Sequence, residues 1–282
     1  MTRILVTGGS SVVGDYLLPR LVADGHQVIV FSRSARAVRG VEWRQADVSH
    51  APLKGLVAGA DALIHLAPLP LLTRVLPGLP EGVSEIVAVG TTSVFTKADA
   101  RSEMDRRLVE HQQEAERVLT DFCRKRGIRG TLLRPTLVYD GRRDKNVTRI
   151  ARFIRHASFF PVAAPASGLR QPLHAADLAD ACRAALESRI AGQAYNLAGG
   201  ETLSYRAMLE RIFRALGRKP RILPVPLGIY RAALGMARLH PRLRSLSLDV
   251  ADRMNRDLVF DYGDAARDLG FRPRSFHPEF VP

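Results

Sequence analysis

Two cysteines, one tryptophan and five lysines are all that 282 residues contain of these types, and aromatic residues make up only 6% of the chain. Cys123 and Cys182 form no CxxC and adjoin no histidine cluster, which excludes a disulfide scaffold and a recognisable metal site. The expected setting is a reducing, cytoplasmic one. No run approaches the roughly 18 apolar residues needed to span a membrane. The opening MTRILVTGG also lacks the basic region, long apolar stretch and cleavage site of a secretory leader. Acidic residues are scarce too: 28 Asp and Glu stand against 42 Lys and Arg, a formal charge of +14. An anionic partner is therefore expected. Zinc-finger, RRM, KH and helix-turn-helix signatures are all missing, so that partner is not expected to be nucleic acid.

What remains is 46% hydrophobic and 25% charged residues, the profile of a globular protein with a full core. Strand-like and helix-like segments alternate through about the first two-thirds, the order of a parallel sheet covered by helices on both faces. Apolar runs at Ile4 to Thr7, Val28 to Phe31, Val41 to Ala46, Ala62 to Ala67, Ile86 to Gly90 and Thr131 to Leu133 supply six strands. Four prolines between Pro68 and Pro80 exclude a long helix there. A long helix is expected over Arg101 to Arg126, with Leu108, Gln112, Ala115, Leu119 and Phe122 on one face. The fold class is thus α/β, a Rossmann-type doubly wound parallel sheet with a smaller C-terminal substrate lobe. Residues 1–140 form the core and 141–282 mainly the lobe, with core elements returning at 175–198.

The turn TGGSSVVG, Thr7 to Gly14, joins the first strand to the first helix, where a dinucleotide-binding turn belongs. Gly8, Gly9 and Gly14 would let backbone approach a pyrophosphate, and the amides of Ser10, Ser11, Val12 and Val13 face it at the helix start. Ser11 stands where a glycine is usual; its Cβ could obstruct a phosphate and its hydroxyl could donate to one. The alternative is a tight turn that binds nothing. Beyond the second strand come Ser32, Arg33, Ser34 and Arg36, with no carboxylate for a ribose 2′-hydroxyl. Arginine pairs with a 2′-phosphate, so NADP is preferred over NAD. If Arg33 and Arg36 are plain surface charges, that preference lapses.

Several segments together resemble an extended short-chain dehydrogenase/reductase of the NAD-dependent epimerase/dehydratase group. They are TGGSSVVG, QADV around Asp47, LIHLA at Leu63 to Ala67, LLRPTLVYDGRRD at Leu132 to Asp144, QPLHAADLADA at Gln171 to Ala181, AYNLAGGETLSYRAM at Ala194 to Met208 and MNRDLVFDYGDAARDLGFRP at Met254 to Pro273. The resemblance implies that Asp47 and Val48 contact adenine and that His65, Leu66 and Ala67 line the cofactor, with Gln112 and Pro135 further along it. For His65 an imidazole satisfied by backbone at a strand end is the plain alternative. The family's catalytic YxxxK pair falls on Leu108 and Gln112, and neither residue can do its work.

The resemblance leaves Thr91 as a hydroxyl near the substrate and Phe95 in place of an aromatic partner. Lys97 is the one lysine near that strand end, a substitute cation or base if it is not turned to solvent. Tyr139 is the nearest phenol, a relocated acid or a packing residue. Arg134, Arg142, Arg143 and Arg170 could meet phosphate. Two functions follow: redox or isomerising chemistry on a nucleotide-sugar-like or other anionic carbonyl/alcohol substrate, or a catalytically inactive NADP-binding regulator or assembly protein.

The basic excess is densest from Arg206 to Arg244, where ten Arg and Lys accompany only Glu210. Within it, Tyr230, Leu234 and Ala237 share one helical face with Arg231 and Arg238 beside them, a pattern for peripheral contact with an anionic membrane or for packing on the protein itself. A homo-oligomer is left open.

Overall fold

A computed structural model describes residues 1–33, 36, 38–47, 59–97, 102–188, 190, 192–239 and 249–280. Seven strands form the central sheet: β1 (Arg3–Thr7), β2 (Gln27–Ser32), β3 (Val41–Gln45), β4 (Ala62–His65), β5 (Glu85–Val89), β6 (Arg129–Pro135) and, much later in the chain, β11 (Gln193–Leu197). Their order is β11-β6-β5-β4-β1-β2-β3, parallel throughout. Strands buried on both faces read as continuous apolar runs, and all four residues of β4 are buried. The expected doubly wound parallel sheet is present.

On one face α1 (Val12–Ala23) packs with α6 (Ala175–Glu187) through Leu17, Leu21, Leu178 and Cys182. The other face carries α4 (Glu103–Arg126) and the proline-rich connection, where the four-residue helix α2 (Leu72–Val75) lies between two tighter turns. Leu69, Leu72, Val75 and Leu76 seat this short piece against Ala115 and Leu119. Acidic residues open α4 and Arg124, Lys125 and Arg126 close it before the left-handed Gly127, in accord with the helix dipole. The inward face of α4 differs from expectation at its start: Asp105 and Val109 are buried, whereas Leu108 is 44% exposed.

Most of the remaining elements build the lobe. After α3 (Ser93–Thr96) and β7 (Val138–Tyr139) come α5 (Val147–Ala157), β8 (Phe160–Ala163), β9 (Leu169–Arg170), β10 (Leu173–His174), β12 (Leu203–Ser204), α7 (Tyr205–Ala215), β13 (Ile222–Val225), α8 (Leu227–Ala237) and α9 (Asp249–Arg253), while α10 (Gly263–Leu269) returns to the sheet, where Ala265 joins the core of α1 and α6. The sequence reading missed α5, although Val147, Thr148, Ala151 and Ile154 follow a helical repeat and are buried. Ile154, Met208, Ile212 and Phe213 form the lobe's own core.

Residues 271–280 carry no regular structure yet stitch the lobe shut. Arg274 grips Asp177, Arg211 Nη1 donates to the Phe276 carbonyl at 3.0 Å, and Phe276 is buried. A Cβ on Gly141 would stand 1.9 Å from the Glu279 carbonyl oxygen, so the segment lies against the bare backbone there.

For α8, packing on the protein itself holds for one side of the helix. Tyr230 and Leu234 do pack on the lobe core, but Arg231 is not free for a surface: it pairs with Asp252 on α9.

Candidate functional site

The turn between β1 and α1 is compact because three positions admit no side chain. Gly8, at φ +73°, lies so close to β4 that a Cβ would stand 2.4 Å from the Ala67 nitrogen. A Cβ on Gly9 would meet Val30 at 2.6 Å, and one on Gly14 would meet the Gly9 carbonyl at 1.9 Å. The glycines are thus demanded by the turn's own packing, whatever it binds. Ser11 caps α1, its hydroxyl accepting from the Gly14 amide at 3.2 Å. The Ser11 amide turns back to the Gly8 carbonyl at 2.9 Å. Among the described residues the amides of Val12 and Val13 have no protein acceptor, and two free N–H groups at a helix start suit a phosphate.

Ser32, at the end of β2, donates its hydroxyl to the Ser10 hydroxyl at 2.9 Å. Arg33 beside it is exposed, while Arg36 is spent on Asp15 at 2.8 Å. Asp47 follows β3; Val48 lies outside the described residues.

Arg143 reaches the same turn from the other half of the molecule. Asp140 Oδ1 accepts from the amides of Arg142, Arg143 and Asp144, and Asp144 in turn accepts from Asn146 and Thr148, which fixes the loop leading into α5. From that loop Arg143 donates to the carbonyls of Ser10 and Ser11 at 3.0 and 2.9 Å and to Asp15. These contacts use the carbonyls of the turn and none of its amides, which leaves the unpaired Val12 and Val13 N–H groups as the donors that a dinucleotide pyrophosphate would need. Arg142 lies over the Tyr16 ring at 6.0 Å.

His65 is fully buried and satisfied. Pro68 O, 3.3 Å from Nε2, can only accept, so Nδ1 accepts from the Thr7 hydroxyl at 2.6 Å. Burial pulls its pKa down to about 4, which keeps the ring neutral. Leu66 and Ala67 continue from it beside Gly8.

At the same ends of β5 and β6, a cavity of about 390 Å³ is bounded by Thr91, Lys97, Thr136, Arg170, Gln171 and Arg253 among others. Thr91 accepts from the Ser93 amide at 3.1 Å, which leaves its hydroxyl proton free to be donated. Pro135 is anchored beside it, its carbonyl accepting from the Thr92 amide and hydroxyl. Lys97 is not solvent-facing: its Nζ lies 2.9 Å from Oδ1 of the buried Asp105, whose Oδ2 takes Arg253 at 3.2 Å. Arg170 is buried, donates to the carbonyls of Leu169, Arg253 and Arg256, and stacks on Tyr205 at 5.3 Å. It has no ion-pair partner among the described residues, and desolvation pulls its pKa down to about 10. Among the described residues the lining contains three cations, Lys97, Arg170 and Arg253, and no carboxylate, with Asp105 and Asp257 acting on them from behind, so the cavity wall is positive.

Other expected residues lie elsewhere. Tyr139 is 1% exposed, packed edge-on against His174 and Phe276 at 5.1 and 4.9 Å, and does not border the cavity. Burial pushes its phenol up to about 12, and its contacts at this position are packing contacts. Arg134 is held by Glu116 and covers Phe95 at 5.3 Å, which removes it from phosphate contact. The Gln112 side-chain oxygen is buried without a partner on α4, a helix that contains no tyrosine. Asp105 and Arg253 were not foreseen; Asp105, four residues before the apolar Val109 and so on the same helical face, was the available signal. A wider groove of about 1050 Å³ along α4, β6 and β11 touches neither the glycine turn nor Thr91 and Lys97.

The NAD dependent epimerase/dehydratase family matches residues 4–109 and 79–198, and the chain belongs to that family. It is 24% identical to an uncharacterized protein, y4nG, of Sinorhizobium fredii, over 96% of this chain and 74% of that one. Among solved structures, MoeE5 in complex with UDP-glucose and NAD superposes with a TM-score of 0.74 at 19% identity, covering 97% of this chain and 94% of the other. UDP-N-acetylglucosamine 4-epimerase from Bacillus cereus does so with a TM-score of 0.72 at 19% identity, covering 97% and 94%.

Proposed function

We propose that this chain is an NAD(P)-dependent enzyme of the epimerase/dehydratase type, acting on a nucleotide-sugar-like or other anionic carbonyl/alcohol substrate. The observation that carries the reading is one cavity in which Thr91 and Lys97 stand beside the buried Arg170, which has no ion-pair partner among the described residues. In it Arg170 and Arg253 attract the substrate's negative charge and orient it. The Thr91 hydroxyl donates to a substrate oxygen, and Lys97, steadied by Asp105, supplies the positive charge that favours alkoxide character there. The dinucleotide, when bound, supplies hydride exchange with a substrate carbon. The free amides of Val12 and Val13 hold its pyrophosphate, with Gln112 and Pro135 at the nicotinamide end. Exposed Arg33 and the absence of an acid after β2 favour NADP over NAD. The inactive-binder reading draws on the lack of tyrosine along α4, but it leaves the charged cavity without a use.

The test is titration with the reduced and oxidised forms of both dinucleotides, followed by incubation with UDP-sugars (oxidised form) and keto-sugar nucleotides (reduced form), with dinucleotide absorbance and sugar products both read. Tighter NADPH binding, lost in Arg33→Ala, and turnover that falls in Thr91→Val and Lys97→Ala are expected. Dinucleotide that binds while no sugar nucleotide is oxidised, reduced or isomerised would overturn the enzymatic reading.

A further inference from the structure

We propose that the outward face of α8, with the cations around it, docks on an anionic lipid bilayer. None of the eleven residues of α8 is buried. Tyr230, Leu234 and the Asp252-paired Arg231 turn toward the lobe, so the opposite side should be polar in a helix of ordinary design. It is instead Gly228, Ile229, Ala232, Ala233, Gly235 and Met236. Ile229 is 62% exposed and Met236 73%, with Leu239 at 78% just beyond and Leu223 at 48% just before. A run of large exposed apolar side chains on one short element marks a surface that meets something other than water.

Charge selects the occupant. From residue 211 to residue 248 the sequence holds no Asp or Glu. Lys219, Arg221 and Arg238 are exposed, and no carboxylate pairs with them among the described residues. A second copy seated on this face would bring like charges together, with no acid in the stretch to answer them. An anionic headgroup layer answers them all, while Ile229 and Met236 enter the acyl boundary. Eleven helical residues span about 16 Å, half the roughly 30 Å of a bilayer core, so the helix lies along the surface.

Flotation of the intact chain with vesicles of phosphatidylcholine, with and without phosphatidylglycerol, tests this. Binding that requires phosphatidylglycerol and weakens in high salt is expected. Neutralising Lys219 and Arg238 as Lys219→Gln and Arg238→Gln should weaken it by about fivefold each. Ile229→Ser with Met236→Ser should abolish it while dinucleotide binding and circular dichroism, which report an intact fold, stay unchanged. No flotation of the wild-type chain, binding indifferent to lipid charge, or a dimer in sedimentation that the Ile229→Ser/Met236→Ser pair dissolves without any vesicle binding would each overturn the proposal.

Discussion

Arg143 and Asp15, separated by 128 positions in sequence, are joined by two bonds to a single oxygen: Nε and Nη2 of the arginine both donate to Oδ2, at 2.9 and 2.5 Å. The same guanidinium holds the carbonyls of Ser10 and Ser11, so the lobe's first loop fixes the shape of the turn from outside. Replacing it as Arg143→Ala should weaken dinucleotide binding by about tenfold. Both partners are a third exposed, so solvent screening limits the loss of stability to about 1 kcal/mol. Calorimetric titration and urea denaturation would check the two effects separately; unchanged affinity would mean that the turn holds its shape unaided.

At position 11 the cap and the phosphate make opposite demands. Ser11→Gly costs only a few tenths of a kcal/mol as a cap and removes the Cβ, so it should leave stability nearly constant and tighten dinucleotide binding. Ser11→Ala keeps the Cβ and loses the bond to Gly14, at about 1 kcal/mol in stability. Equal affinities in the two variants would show that the Cβ is no obstacle.

His65 makes stability depend on pH in a defined direction. Its pKa is about 4 in the native state and near 6.5 when unfolded, so below pH 6.5 the unfolded chain takes up a proton that the native one refuses. Stability is thus lost as pH falls through that window. Between pH 7 and 5 the wild type should lose about 2 kcal/mol more than His65→Gln, measured by urea denaturation at each pH. Parallel losses would place the acid sensitivity elsewhere.

Asp105 couples the two cations of the cavity wall. Asp105→Ala removes the buried carboxylate and leaves Lys97 and Arg253 facing each other, at about 3 kcal/mol in stability. Lys97→Met retains the Arg253 pairing and should cost less than half as much, yet reduce turnover at least as severely. A stability loss for Lys97→Met equal to that for Asp105→Ala would contradict the shared arrangement.

The sheet was legible because β1, β2 and β4 are short continuous apolar runs broken by glycines, and the turn because Gly8, Gly9 and Gly14 fall between a strand and a helix. Thr91 and Lys97 were legible as a pair because they sit at one strand end. Arg143 was seen only as a phosphate candidate, since a contact across 128 residues leaves no local pattern. Leu108 was placed on an inward face because helical periodicity gives spacing without saying where α4 overhangs the sheet. For α8, the residues that pack inward were readable. The apolar character of its other side stood in the same letters, but only the packing of Tyr230 and Leu234 reveals which side is left over.

The segment 271–280 supplies Arg274 to Asp177 and the Phe276 side chain to the lobe core after every helix and strand has been made. Until that segment is seated, Asp177 lacks its Arg274 partner and Glu201 holds only Arg211, without the Phe276 amide. A chain halted before Phe271 would carry all the elements of its architecture and still lack the piece that latches them together.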